Sequence, residues 1–96
     1  MRDKQFEWDD DKARFNLEKH KIDFEDAKRV FDDPGFLDDL DETMDYGEER
    51  FRAIGMVDGR LIAVFYTPRT TRIRIITARK ATSKEHRDYA RQDPPK

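Results

Sequence analysis

Apolar residues recur along this chain first at the spacing of helices and then at that of strands. Phe6-Glu7-Trp8 alternates apolar and polar positions, the pattern of a short half-buried strand or an extended lead-in. Asp9 or Asp10 then caps a helix. Ala13 and Leu17 stand four apart in it, with Asn16 and His20 as the adjacent row, so all four share one side. That helix is expected to stop near Lys21. Asp23 is a second N-cap, and Phe24, Ala27, Val30 and Phe31 follow at offsets that again make one helical face. Asp33-Pro34-Gly35 ends this helix, because proline lacks the N–H and biases the residue before it toward extended geometry.

The second half reads as strands. Phe36-Leu37 and Leu40 suggest a weak strand with aspartates set into it. Phe51 to Val57 and Arg60 to Thr67 flank Asp58-Gly59, a strong hairpin signal, since the tight type I′ turn needs positive φ at both central positions. A third strand is expected from Arg72 to Thr77, after Pro68-Arg69-Thr70-Thr71. Thr82-Ser83-Lys84-Glu85 fits a capping box and opens a helix from Ser83 to about Gln92, stopping before Pro94-Pro95. The expected fold is α+β: an antiparallel meander packed against two N-terminal helices, with a C-terminal helix. The helices cover one sheet face and leave the other partly exposed for binding. Residues 1–96 form a single domain, with no internal repeat and no linker.

Composition narrows the function classes. Thirty-five per cent of the 96 residues are hydrophobic and 44% are charged, so a compact core sits under an ionised surface. The chain has no cysteine, which excludes disulfide frameworks, thiolate metal sites and cysteine nucleophiles. No apolar run approaches the roughly 20 residues of a membrane span, so a soluble chain is expected. The net charge of −2 hides an asymmetry. Residues 1–31 carry 8 basic and 9 acidic groups, residues 32–49 carry 9 acidic and no basic groups, and residues 50–96 carry 12 basic and 4 acidic ones. The arginine-rich second half suits a polyphosphate partner, while the acidic stretch reads as a solvated loop.

Arg72 and Arg74 share one face of the third strand by parity, with Ile73 and Ile75 on the other. Arg50 aligns with Arg52, and Arg60 with Tyr66, while Arg79 and Lys80 continue just beyond the strand. A planar guanidinium bonds two phosphate oxygens at once, and a tyrosine offers a ring for stacking. The plainer alternative is a solvated face of arginines paired with carboxylates. His20 lies one turn after Asn16, where an imidazole can shuttle a proton or simply complement the helix C-terminus, while His86 reads as a surface residue. Two histidines without a spaced ligand motif make a poor metal site, and Asp9-Asp10-Asp11 reads as a cap cluster, so no metal and no cofactor is expected. These groups suit cleavage of RNA by its own 2′-hydroxyl, which needs a base, an acid and cations for the phosphorane charge.

Taken in order, the residues resemble the BrnT toxin family of bacterial type II toxin-antitoxin systems. The resemblance rests on Phe6-Glu7-Trp8-Asp9, Lys12, Asn16, Lys19-His20, Phe24, Ala27 and Phe31-Asp32-Asp33-Pro34. It continues through Gly47-Glu48-Glu49-Arg50-Phe51, Ile54-Gly55, Ile73 to Ala81, Glu85, Arg87 and Tyr89. Two positions depart from the family pattern: Lys21 stands where many members have glycine, and Thr77 where serine is commoner.

The resemblance implies a RelE-like fold and a cytoplasmic, metal-independent ribonuclease that inhibits translation. It also implies a BrnA-like ribbon-helix-helix antitoxin, a heterotetramer with that antitoxin, and contact with operator DNA only through it. Site candidates are His20, Arg50, Arg79 and Tyr89 for catalysis, and Arg72, Arg74, Tyr66 and Lys80 for RNA binding. The competing reading is a non-catalytic nucleic-acid-binding or partner-binding module acting in operon repression. A helix-turn-helix is disfavoured, because Glu25 and Asp26 sit beside Lys28 and Arg29 on the second helix.

Overall fold

The structure, a computed structural model, describes residues 5–41 and 49–92. The stop signal at Pro94-Pro95 and the part of the acidic stretch from Glu42 to Glu48 lie outside them.

Strand β1 (Phe6–Glu7) leads into helix α1 (Asp10–His20). Asp9 is the N-cap, its carboxylate accepting the N–H groups of Asp11 and Lys12 at 2.8 and 3.3 Å. Helix α1 ends on Lys21, which adopts the left-handed conformation with φ 61° and donates its N–H to Leu17 O at 2.9 Å. This is the position where glycine is easiest, and Lys21 supports the turn despite its Cβ. Asp23 caps helix α2 (Phe24–Ala27) by accepting the Glu25 N–H at 2.9 Å. The second helix is shorter than its apolar spacing suggests: after one turn it tightens into a 3-10 segment, Lys28–Asp32. Phe24, Ala27 and Val30 are nonetheless fully buried, as their spacing requires.

Strands β2 (Leu37–Leu40), β3 (Phe51–Val57), β4 (Arg60–Pro68) and β5 (Ile73–Lys80) precede helix α3 (Ser83–Arg91). Asp58 and Gly59 both have positive φ, 51° and 82°, which makes the β3–β4 connection the expected type I′ turn. Thr82 and Glu85 form the expected capping box of α3.

Two expectations about the sheet need correction. Its order is β1-β5-β4-β3-β2, and β1 pairs with β5 in parallel, Phe6 opposite Ile73 and Glu7 opposite Arg74, so the sheet is mixed rather than a pure meander. The third hairpin strand also runs on to Lys80, which places Arg79 and Lys80 inside β5.

The helices do not all cover one face either. Ile22, Phe24, Ala27 and Val30 pack with Ala53, Val57, Ile62, Val64, Tyr66, Ile75 and Ala78 into the main core. The alternate residues Ile54, Leu61 and Ala63 point the other way and pack with Tyr89 of α3, Ala81 and Phe65. Helix α3 thus lies over the side that α1 and α2 leave uncovered. In β4–β5 the pairing steps from Phe65 opposite Thr77 to Tyr66 opposite Ile75. The bulge at Ile76 lets Ile75 and Ala78, three residues apart, reach the same core.

Two polar or close-packed contacts lock the layers. Asn16 is buried, and its Oδ1 accepts the Ala78 N–H at 3.1 Å and the Thr77 hydroxyl at 2.8 Å, while its Nδ2 donates to Ile22 O at 3.0 Å. This side chain satisfies the β5 edge where β1 is too short to reach. Gly55 lets the 3-10 segment cross close over β3: a Cβ there would stand 2.8 Å from both Cγ1 and O of Val30.

Candidate active site

The side of the sheet carrying α3 gathers guanidinium groups around one aromatic ring. Phe65 lies opposite Arg52 on β3 and Thr77 on β5, and Arg79 lies two pairing steps along on the same side, opposite Ala63. The guanidinium carbon of Arg79 is 5.1 Å from the Phe65 ring centroid, and that of Arg50, just before β3, is 5.5 Å away. Both distances are in cation–π range.

One carboxylate organises this group. Glu85, in the first turn of α3, has a side chain only 4% exposed. It accepts Arg79 Nη1 and Nη2 at 2.7 and 3.0 Å, Arg52 Nη1 at 3.0 Å and the Thr82 N–H at 2.9 Å. Burial alone would raise its pKa. The Arg79 and Thr82 hydrogen bonds and the charges of Arg79 and Arg52 outweigh it, and the carboxyl falls to about 2. Arg52 is held from its other edge by Asp39, at 3.2 and 2.7 Å. Arg50 Nε stands 3.8 Å from Asp41 and, buried, makes no hydrogen bond among the described residues.

The other sequence candidates fall in different places. Arg74 faces the same side as Phe65 through its pairing with Thr67, but at the far end of β5, where it donates to Glu7 at 2.9 Å. Arg72 is exposed in the turn before β5. Lys80, opposite the core residue Ile62, belongs by parity to the other side from Arg79.

Tyr66 is a correction: the exposed sheet side was expected to offer its ring, yet it is 6% exposed in the main core. It stacks on Phe51 at 5.7 Å and packs edge-on to Phe31 at 5.2 Å. Its hydroxyl donates to Asp38 at 2.6 Å, and burial together with that carboxylate drives the phenol pKa well up. A ring so enclosed has no face for a base.

Tyr89 sits one turn beyond Glu85 and donates to Asp33 at 2.6 Å. That bond, then burial and the Asp33 charge, push its phenol up to about 12, so it stays neutral. Asp33 also accepts the N–H groups of Met56 at 2.8 Å and Gly35 at 2.9 Å, which makes Tyr89 the anchor of α3 on the loop after the 3-10 segment. His20 is partly exposed at the end of α1, and its side chain makes no hydrogen bond or ion pair among the described residues. Among the described residues nothing joins it to the arginines.

A pocket of about 290 Å³ includes none of Arg50, Arg52 and Arg79 in its lining, which comprises Arg29, Asp33, Met56 and Asp58 among others. Its charges close on themselves, with Arg29 donating to both Asp58 oxygens at 2.9 and 2.8 Å.

Phe65 and Glu85 carry no site signal in the sequence, and Arg52 enters there only as the neighbour of Arg50 in the arginine cluster. Arg52 shares its parity with Arg50, which was a usable signal. Glu85 is legible only as a cap, because its arginine partners are 6 and 33 residues away.

In class this is a small α+β domain with an arginine-rich surface backed by an aromatic ring. The chain matches the family model described as the ribonuclease toxin, BrnT, of type II toxin-antitoxin systems over residues 8–85, and it belongs to that family. Membership implies an antitoxin partner and an RNA substrate. Comparison with curated proteins finds no match at the level of a relative. No helix among the described residues is long and apolar enough to cross a membrane.

Proposed function

We propose that this chain, acting as a single domain in the cytoplasm, cleaves RNA without a metal ion and so inhibits translation. The observation that carries this reading is the pair of guanidinium groups, Arg50 and Arg79, held over Phe65. They suit the charge that builds on a pentacoordinate phosphate when the neighbouring 2′-oxygen attacks. In that step the 2′-hydroxyl loses its proton to a base and the 2′-O–P bond forms. The P–O5′ bond breaks, and the leaving 5′-oxygen takes up a proton, giving a 2′,3′-cyclic phosphate and a 5′-hydroxyl.

His20 is the candidate for proton exchange by residue type, since among the described residues its partly exposed imidazole has no hydrogen-bond partner, although it lies apart from the arginines. Tyr89 is assigned to holding α3 rather than to proton transfer, because its O–H is committed to Asp33. Arg72 and Arg74 serve as outer phosphate contacts along the strand, whereas Lys80, on the other side of β5 from Arg79, is not grouped with them. A BrnA-like ribbon-helix-helix antitoxin neutralises the activity in a heterotetramer, and operator DNA is contacted only through it. The arrangement of sheet and helices is taken as RelE-like.

The test is incubation of purified protein with end-labelled RNA in EDTA, beside folded Arg79→Ala and His20→Ala variants. Cyclic-phosphate ends from the wild type are expected, with cleavage by Arg79→Ala reduced about 100-fold or more, the scale of losing one donor to transition-state charge. Intact RNA that binds with salt-dependent affinity would instead support the non-catalytic module.

A further inference from the structure

The arginines on the Phe65 side of the sheet are not equally free to meet a substrate. Arg52 uses Nε and Nη2 on Asp39 and Nη1 on Glu85, so both edges of its fork are occupied. Arg79 meets Glu85 end-on, through Nη1 at 2.7 Å and Nη2 at 3.0 Å, with Nη1 also 3.2 Å from Lys80 O. Its Nε makes no hydrogen bond among the described residues. With the side chain 31% exposed and its end held by Glu85, the side edge of the Arg79 fork is left for an anion.

Glu85 itself has nothing left to offer. A carboxylate has about four lone-pair sites, and here Thr82 N–H and Arg79 Nη1 take two on Oε1, while Arg79 Nη2 and Arg52 Nη1 take two on Oε2. A saturated, 4% exposed carboxylate is not placed to move a proton to or from RNA. It is placed to hold two like-charged arginines side by side that would otherwise repel each other.

We propose that Glu85 is a positioning residue: by clamping the end of the Arg79 guanidinium against the first turn of α3, it turns the open Nε edge of Arg79 toward the RNA phosphate. Its effect on cleavage rests on the ribonuclease reading above, whereas its effect on Arg79 does not. Arg52 belongs to the clamp and not to the substrate contact. The N-terminus of α3 and the orientation of Arg79 are then coupled through one side chain.

Glu85→Gln tests this, because it keeps the volume and an acceptor for the Thr82 N–H while removing the charge. The expected result is a fall of about 100-fold in kcat, the scale of a misplacement near 1 Å. Affinity for a 2′-deoxy oligonucleotide, which cannot be cleaved, is expected to be at least that of wild type, since a negative charge has left the surface. In 15N spectra the Arg79 Nη signals, separate while the fork is clamped, should merge in the variant. Thr82→Ala removes the hydroxyl cap but leaves the carboxylate, and should change none of these readings.

Wild-type kcat and unchanged Arg79 signals in folded Glu85→Gln would overturn the proposal, as would an equal loss in Thr82→Ala, which would assign the effect to the helix cap. Should Glu85→Gln fail to fold, Glu85→Asp, with its charge drawn back by one methylene, gives the same test. Slower cleavage with merged Arg79 signals supports the clamp, and wild-type behaviour overturns it. If the wild type leaves RNA intact, the ribonuclease reading fails, and oligonucleotide affinity with the Arg79 spectrum still decides the role of Glu85.

Discussion

On the side of the sheet beneath α1 and α2, Ile62, Val64 and Ile75 are each 1% exposed or less, whereas on the opposite side the side chains of Arg52, Arg74 and Arg79 are between 28 and 38% exposed. The same strands supply both. Val64 and Phe65 are neighbours in the chain, yet one fills the core and the other backs two guanidinium groups. The apolar side is held by area removed from water and by close packing, which do not depend on pH or salt in any simple way. The arginine side is held by matched charges, so its order depends on every carboxylate that faces it. The side beneath α1 and α2 holds the larger core, and the other sets the arginines beside a smaller core under α3.

The comparison predicts that substitutions separate cleanly into losses of stability and losses of function. Phe24→Ala, at a fully buried ring, should cost about 3–5 kcal/mol in urea denaturation. Arg79→Ala should shift the same midpoint far less, because Glu85 keeps Arg52 as a partner. Equal losses from both would break the division of labour between the two sides.

Gly55→Ala is next in size. Its new Cβ meets the Val30 backbone oxygen as well as its side chain, so the 3-10 segment must shift, at about 1–3 kcal/mol. A neutral outcome would show that this segment is not seated on β3 as closely as the geometry requires.

On the arginine side the sharper probe is pH. The Glu85 carboxyl is depressed from an ordinary 4.5 to about 2, so its stabilising effect is complete above about 4.5 and drains away as pH falls toward 2. Asp33 is also lowered: burial opposes this, but the hydrogen bonds from Tyr89, Met56 and Gly35 prevail, so it acts in the same direction. Urea midpoints followed down in pH should fall less steeply in Glu85→Gln than in wild type, with the remaining slope assigned in part to Asp33. Parallel curves would remove Glu85 from the account.

The smallest effect is expected away from both sides. Lys21→Gly, at φ 61°, relieves a left-handed residue with a Cβ and should stabilise by about 1 kcal/mol in thermal or urea unfolding, without altering RNA affinity.

Much of the local architecture was legible because its causes lie within a few residues. Asp9, Asp23 and Thr82 cap the turns that follow them, and Asp58-Gly59 carries its own turn geometry. The candidate site was legible only in part. Arg50 and Arg79 were found as cations in strand-rich sequence and do meet, but Tyr66 was placed with them and lies in the core instead. The run from Leu61 to Tyr66 is apolar at both parities, since β4 is central and buried on both sides, so alternation has nothing to report about which face each residue takes.

By itself the amino-acid sequence determined where the helices begin, where the hairpin turns and that cations concentrate in the second half, because capping, φ preference and charge are properties of neighbouring residues. Tertiary structure alone decided that β1 lies parallel to β5, that Asn16 completes the β5 edge, and that Glu85 gathers Arg52 and Arg79. Those contacts join residues far apart in the chain, and they form only when burial brings the elements together and leaves each buried donor and charge to find its partner.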